Sequence, residues 1–178
     1  MPEEEEESIK ITLLGTPGVG KNAIISKYIN ESFSEENEAT IGKNYSEKTI
    51  YKNGKAIQLD LWVATGQEKF HSLGKHFYKD SYIVILVYNI TNQESLDSLK
   101  EIWYPNLKKY GEKYTVLAVV GNKADLYEND DLADEEQAKK FAKEINATFM
   151  LTSAKNGDGI EKLFDILIDK FLSPEFYD

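Results

Sequence analysis

The sequence of 178 residues contains no cysteine. It also contains no arginine, because all 21 of its lysine and arginine positions are lysine. Without cysteine, the chain forms no disulfide, offers no thiolate to a metal and has no thiol nucleophile. Without arginine, the chain offers no guanidinium group to a phosphate or a carboxylate. Disulfide-stabilised, thiol-catalytic and zinc-thiolate proteins are therefore excluded.

Basic residues are outnumbered by acidic ones, and long apolar runs are missing. The formal net charge is −10, so we expect neither nucleic acid nor an anionic membrane surface as a partner. The acidic start does not resemble a signal peptide, and the longest apolar run, residues 83–87, is far shorter than the ~20 residues of a membrane span. We expect a disordered acidic tail at residues 1–7, one domain at residues 8–172 and a C-terminal tail at residues 173–178.

A glycine-rich motif lies between an apolar strand predicted at residues 9–14 and a helix predicted at residues 23–29. It matches the phosphate-binding pattern G-x-x-x-x-G-K-[ST], except that Asn22 replaces the hydroxyl residue. Glycines allow successive N–H groups to converge on a phosphate, the helix adds the positive end of its dipole, and Lys21 supplies an ammonium group. The alternative is a glycine-rich turn with an accidental lysine. The predicted phosphate contacts are Gly15, Pro17, Gly18, Val19, Gly20, Lys21, Asn22 and Ala23.

A second motif, Asn122-Lys123-Ala124-Asp125, follows a β-branched strand at residues 116–120 and predicts recognition of guanine. The Asp125 carboxylate would accept hydrogen bonds from guanine N1–H and the exocyclic amine. Adenine has no donor at either place, and an unmet charged hydrogen bond costs roughly 1.5–3 kcal/mol or more. Asn122 would brace the loop and contact the base, while the stem of Lys123 would lie over the ring.

A third motif, Ser153-Ala154-Lys155, follows a strand predicted at residues 147–151. It would offer a backbone N–H to guanine O6. The three motifs occur in order, each at the carboxyl end of a predicted strand, which is where open α/β sheets bind ligands. An adenine-nucleotide kinase or ATPase is an alternative that shares the first motif but not Asp125.

The remaining pattern predicts an α/β fold with a mostly parallel sheet. Asn53-Gly54 between alternating strands at residues 44–51 and 56–63 is a strong hairpin signal. The rest of the chain alternates helices with strands, which implies helices on both faces of the sheet. Besides the helix at residues 23–29, helices are predicted at residues 67–79, 91–110, 134–145 and 158–171.

With these motifs, the chain resembles the small GTPases of the Ras superfamily, and most of all the Rab branch, from residue 9 to residue 172. Residues 39–42 resemble the first switch, residues 61–70 the second, and residues 86–91 a Rab signature. The resemblance implies the three-layer P-loop NTPase fold of a small G domain, with a mostly parallel six-stranded sheet, one antiparallel edge strand and about five helices. It also implies GTP or GDP as ligand and a switch in vesicle trafficking.

The resemblance further implies protein partners: effectors, an exchange factor and an activating protein. Because the chain has no arginine, the catalytic arginine would have to come from that partner. Phe33 falls where the family packs an aromatic ring against guanine, and Tyr45, Trp62 and Phe77 fall on the effector face. For these three aromatics, ordinary packing of half-buried strand residues is the alternative.

The resemblance also implies a cytoplasmic protein, and Rab proteins reach endomembranes through prenylated C-terminal cysteines, which this chain lacks. We expect no direct membrane anchor in this chain. Either a tail has been removed, or the chain is one module of a longer protein, or it works without an anchor, and it would reach endomembranes through the missing tail or a partner.

The magnesium positions depart from the family pattern. Thr40 is present, but Asn22 stands at the loop hydroxyl position and Val63 at the aspartate of D-x-x-G. Asp60 is no substitute, because it lies three residues back on an alternating strand and faces the opposite side. Mg²⁺ demands near-ideal octahedral oxygen geometry, so we expect a degenerate site of Thr40 and Asn22 that binds it weakly or not at all.

Some of the residues that GTP hydrolysis requires in the family are present. Gln67, directly after Gly66, falls where the family orients the attacking water, although a solvated residue at a helix start is the alternative. Lys21 would neutralise phosphate charge, so Gln67 and Lys21 are the predicted catalytic residues. Two functions stay open: a slowly hydrolysing Rab-like switch, and a pseudo-GTPase scaffold or regulatory domain that binds nucleotide weakly or not at all and does not cycle.

Overall fold

The computed structural model describes residues 7–30, 44–64, 78–113 and 115–177, and these ranges form a single six-stranded sheet. The strands are β1 (Glu7–Leu14), β2 (Tyr45–Lys52), β3 (Lys55–Val63), β4 (Ile83–Asn89), β5 (Val116–Asn122) and β6 (Thr148–Leu151). Their spatial order is β2-β3-β1-β4-β5-β6. Only the β2–β3 pair is antiparallel. The predicted sheet, mostly parallel with one antiparallel edge strand, is confirmed.

Helices lie between the strands in the predicted alternation. They are α1 (Lys21–Asn30), α2 (Gln93–Ser98), α3 (Tyr104–Tyr110), α4 (Glu135–Glu144) and α5 (Ile160–Leu172). The helix predicted at residues 67–79 falls almost entirely outside the described residues. No helix within the described ranges is long and apolar enough to cross a bilayer. β1 begins at Glu7, one residue inside the predicted tail, and Pro174–Tyr177 forms a 3-10 turn within the predicted C-terminal tail.

The helix predicted at residues 91–110 is present from residue 93 to residue 110, but it is not α-helical throughout. The π-helical turn Leu99–Trp103 joins α2 to α3. The N–H of Tyr104 bonds to the carbonyl of Leu99, five residues back. The next residue is Pro105, which has no N–H and clashes with the carbonyl four residues before it. The wider π turn accommodates that proline while the helix continues. The apolar spacing predicted a helix here, but the consequence of Pro105 was missed.

The Asn-Gly signal for a hairpin is confirmed at the turn between β2 and β3. Asn53 has φ 53° and Gly54 φ 79°, so both central residues adopt the left-handed conformation that a two-residue hairpin turn requires. The turn sets the register in which Tyr45 lies opposite Trp62 and Glu47 opposite Asp60.

Two apolar clusters, one on each face of the sheet, give the fold its three layers. On one face, α1 and α5 pack together, and the rings of Tyr28 and Phe164 stack with centroids 3.9 Å apart. On the other face, the helices pack around Trp103, Leu107 and Phe141. Because β1, β5 and β6 are parallel, the loops that follow them meet at one edge of the sheet, where all three sequence motifs lie.

Candidate functional site

The glycine-rich loop between β1 and α1 is tightly packed at two of its glycines, where no side chain would fit. Gly15 has φ 155°, and a Cβ there would lie 2.4 Å from the carbonyl oxygen of Val87. Gly20 has φ 97°, and a Cβ there would lie 2.3 Å from Nδ2 of Asn122. Gly18 adopts φ 87° beside open space. The backbone therefore turns sharply into α1, and its N–H groups can surround an anion.

Lys21, the first residue of α1, lies across this loop. Its side chain is only 6% exposed, and Nζ donates to the carbonyl oxygens of Gly15 at 2.5 Å and Thr16 at 3.1 Å. These two acceptors hold the ammonium group at the mouth of the loop, where it adds a positive charge to the N-terminal end of the helix. This arrangement fits a bound phosphate.

Asn122 connects the glycine-rich loop to the ends of two strands. The side chain is 1% exposed, and its Nδ2 donates to the carbonyl oxygen of Val19 at 2.9 Å. Its Oδ1 accepts from the hydroxyl of Thr152 at 3.0 Å. The role of Thr152 as a brace was missed by sequence reasoning, since only the fold brings the end of β6 beside the end of β5.

Asp125 is held by the loop that follows β6. Its Oδ1 accepts a hydrogen bond of 2.7 Å from the hydroxyl of Ser153, which in turn accepts from the N–H of Asn156 at 3.2 Å. Asp125 is exposed, and its Oδ2 has no hydrogen-bond partner within the described ranges. The carboxylate is thus oriented from one side and open on the other, as a group that accepts from two N–H donors of a base must be.

The neighbouring backbone completes the base side of the site. Lys123 adopts a left-handed conformation, φ 67° and ψ 36°, and the N–H of Ala124 donates to the carbonyl of Thr152 at 2.9 Å. The N–H of Ser153 is used within its own loop, by the carbonyl of Asp158 at 3.0 Å. The N–H of Ala154 has no acceptor among the described residues, which makes it the donor best placed for a base carbonyl.

Replacing Gly20 with alanine should lower nucleotide affinity by about tenfold. The new Cβ would displace the side chain of Asn122 from the carbonyl oxygen of Val19. A buried hydrogen bond of this kind is worth roughly 1–3 kcal/mol. The matched control is Gly54→Ala, where φ is 79° but no atom lies within 4 Å. Both variants carry similar backbone strain, and only the first touches the site. Titration with a fluorescent GDP analogue measures the affinity, and equal losses in the two variants would contradict the role of Asn122.

Two positions that hold magnesium in the family pattern lie within the described residues, and neither carries a hydroxyl or a carboxylate. Asn22 is partly exposed at the start of α1, while Val63 is only 4% exposed and packs in the core with an aliphatic side chain. Asp60 faces the other side of β3, as predicted, and its Oδ1 accepts from Tyr45 at 2.9 Å and Gln58 at 2.8 Å. Within the ranges that the structure covers, no three His, Cys, Asp or Glu side chains form a metal cluster.

Several predicted site residues lie outside the described residues: Phe33, Thr40, Gly66, Gln67 and Phe77. Two members of the predicted effector face are brought together, since the rings of Tyr45 and Trp62 lie 4.7 Å apart at an interplanar angle of 52°. Their contact follows from the hairpin register, in which they are directly opposite each other. Lys155 is exposed beside Ala154, on the base side of the site.

The chain is similar in sequence to known proteins over most of its length. The family model described as "Ras family" matches residues 10–173. The chain is 35% identical over 164 residues to "Ras-related protein RABD2a" of Arabidopsis thaliana, covering 92% of this chain and 80% of the relative. It is 37% identical over 156 residues to "Ras-related protein Rab-31" of Rattus norvegicus, covering 88% and 79%. It is 35% identical over 164 residues to "Ras-related protein Rab-1D" of Dictyostelium discoideum, covering 92% and 79%.

Proposed function

Because this chain belongs to the Ras family and is a Rab-like small GTPase, we propose that it is an atypical molecular switch that binds GDP and GTP and acts in vesicle trafficking. The observation that carries this proposal is the Asn122 side chain, which joins the phosphate side to the base side of one site. Such a connection fixes the two sides relative to each other, as one ligand that spans both would require. The open carboxylate of Asp125 supports guanine as the base.

We propose that hydrolysis is slow. Gln67 would orient the attacking water and Lys21 would neutralise phosphate charge, but a catalytic arginine must come from an activating protein in trans, because the chain has none. Mg²⁺, which would neutralise charge on the phosphates, would be bound weakly or not at all by Asn22 and Thr40. GTP should lose more affinity than GDP from this deficiency, since its γ-phosphate depends more on the metal.

The pseudo-GTPase scaffold is the second candidate, and the burial of Val63 favours it. An aliphatic side chain at 4% exposure offers no oxygen to a metal or to its bound water. A domain that cannot organise Mg²⁺ can keep the fold and a nucleotide without cycling between two states. In this form the effector face would present one fixed conformation to its partners, and the chain could serve as a regulatory module of a longer protein.

As partners we propose effectors that contact Tyr45, Trp62 and Phe77, together with an exchange factor and the activating protein. The resemblance to Rab proteins supports these partners and a position in the cytoplasm at the surface of endomembranes. The chain would reach those membranes through a partner or through a tail beyond these residues.

The test of the proposal is the nucleotide that purified, denatured protein releases, measured by ion-pair chromatography with ultraviolet detection. We expect GDP or GTP at close to one equivalent per chain. Protein prepared from the Gly20→Ala variant in the same way should release much less. Release of no nucleotide by the natural chain would leave only the scaffold, and release of ADP or ATP would contradict guanine recognition.

A further inference from the structure

The outward surface of the β2–β3 hairpin carries a second set of interacting side chains. Alternate residues of β3, such as Leu59 and Leu61, are buried against α1 and α5. The side chains on the opposite face are all partly or fully exposed. We call them the hairpin face, and they are Tyr45, Glu47, Thr49, Tyr51, Ala56, Gln58, Asp60 and Trp62. Among them, Tyr51 is 75% exposed.

One end of the hairpin face is an aromatic platform that already holds a cation of this chain. The rings of Tyr45 and Trp62 lie 4.7 Å apart. Nζ of Lys10, on the neighbouring strand β1, lies 5.2 Å from the centre of the Trp62 ring. An ammonium group over an aromatic face is attracted by the ring quadrupole. The platform therefore suits positively charged side chains with apolar stems.

Two carboxylates adjoin this platform, and the nearest cation on the neighbouring strand is bonded elsewhere. Lys10 lies beside Asp60 in the register of β1 and β3, but its Nζ donates to the carbonyl oxygen of Lys79 at 2.7 Å. Glu47 lies directly opposite Asp60 across the hairpin, an arrangement of like charges that destabilises a strand pair. The Tyr45 hydroxyl contacts both, at 2.5 Å from Oε1 of Glu47 and 2.9 Å from Oδ1 of Asp60. Neither carboxylate has an ion pair within the described ranges.

The shared hydroxyl satisfies only one of the two carboxylates at a time, because a phenol has a single proton to donate. Desolvation and the hydrogen bonds to Glu47 and Asp60 raise the pKa of Tyr45 above its usual range, which further favours the protonated phenol as the donor. Gln58 donates to Asp60 at 2.8 Å but adds no charge. A cation placed between the two carboxylates would remove their repulsion.

We propose that the hairpin face docks a cationic amphipathic segment of an effector protein. Lysine or arginine side chains of the segment would lie between Glu47 and Asp60, and its apolar side chains would cover Tyr45 and Trp62. The inference rests on the proposed function, because it gives the chemistry of the effector for the same face. An anionic membrane is disfavoured as the occupant, since both uncompensated charges are negative.

The test uses the full chain and a synthetic amphipathic helical peptide with leucine on one side and lysine on the other. Its counterpart has glutamate in place of every lysine. Trp62 fluorescence reports docking, because Trp103, the other tryptophan, is 0% exposed. We expect the cationic peptide to bind in a salt-dependent way and the anionic peptide not to bind. The variant Glu47→Gln/Asp60→Asn should bind the cationic peptide about tenfold more weakly, as expected for losing partly desolvated charge pairs.

The control variant is Asp131→Asn/Glu136→Gln, which removes two exposed charges elsewhere. It should change peptide affinity less than about twofold, since neither charge belongs to the hairpin face and exposed charges are screened by salt. Equal weakening by both double variants, binding of the anionic peptide, or binding of anionic vesicles instead would overturn the proposal. Nucleotide content should be unchanged in both variants. A protein that binds the peptide but releases no nucleotide would contradict the switch and leave the docking face standing.

Discussion

Replacing Asp125 with alanine is expected to lower the affinity for GDP by about 100- to 10,000-fold, since two hydrogen bonds to a charged acceptor are worth roughly 1.5–3 kcal/mol each. The carboxylate is exposed and is bonded on one side only, by Ser153. Its removal therefore breaks one hydrogen bond of an exposed side chain, and the free energy of unfolding should change little. Competition against a fluorescent GDP analogue measures the affinity, and thermal unfolding in the absence of nucleotide measures the fold.

Inosine diphosphate separates the two hydrogen bonds, because hypoxanthine keeps N1–H but lacks the exocyclic amine. The natural chain should prefer GDP to inosine diphosphate by roughly tenfold or more, the worth of one charged hydrogen bond. In the Asp125→Ala variant this preference should disappear. Asp131→Ala, a neighbouring exposed aspartate, is the control and should behave as the natural chain does. A preference that survives the loss of Asp125 would place base recognition elsewhere.

Chelation of magnesium is expected to have little effect on the natural chain and a large one on a variant that restores the family's ligands. We expect EDTA to change the GDP release rate of the natural chain by less than about threefold. In Asn22→Ser/Val63→Asp the acceleration should reach about 100-fold or more, because metal coordination of a phosphate is worth several kcal/mol. Release of a fluorescent GDP analogue, chased with excess GDP, gives both rates.

The matched control for this rescue is Asn22→Ser/Val63→Asn, which has the same shape as the aspartate variant but no charge. Val63 is 4% exposed, so both substitutions place a polar group in the core and should lower stability, the aspartate more when no metal is bound because its charge is also desolvated. Only the aspartate variant should become sensitive to chelation. If EDTA accelerates release from the natural chain as strongly as from the rescued one, Asn22 and Val63 do not weaken metal binding.

Sequence predicted best those features that depend on neighbouring residues. The Asn53-Gly54 hairpin and the alternation that turns Asp60 away from Val63 are local features, and both are confirmed. Asn92 caps α2 by accepting from the N–H of Ser95, because polar side chains of this size satisfy the first free N–H groups of a helix. The π turn was missed because apolar spacing tolerates Pro105 while backbone hydrogen bonding does not.

Contacts between distant segments could not be predicted from the sequence in the same way. The motif indicated that Asn122 braces the loop, but only the sheet order shows that its partners are Val19, 103 residues away, and Thr152, 30 residues away. The sharing of one hydroxyl by Glu47 and Asp60 likewise depends on the hairpin register. For the switch residues, sequence remains the source of the hypothesis, because Thr40 and Gln67 lie outside the described residues.

Competition between GDP and ADP for one site tests guanine recognition most directly. The natural chain is loaded with a fluorescent GDP analogue, and each unlabelled nucleotide is added until the analogue is displaced. We predict displacement by equimolar GDP and none by ADP at about a thousandfold excess, because a site built to bond the guanine edge leaves Asp125 unpaired against adenine. Displacement by ADP at concentrations similar to GDP would contradict the assignment.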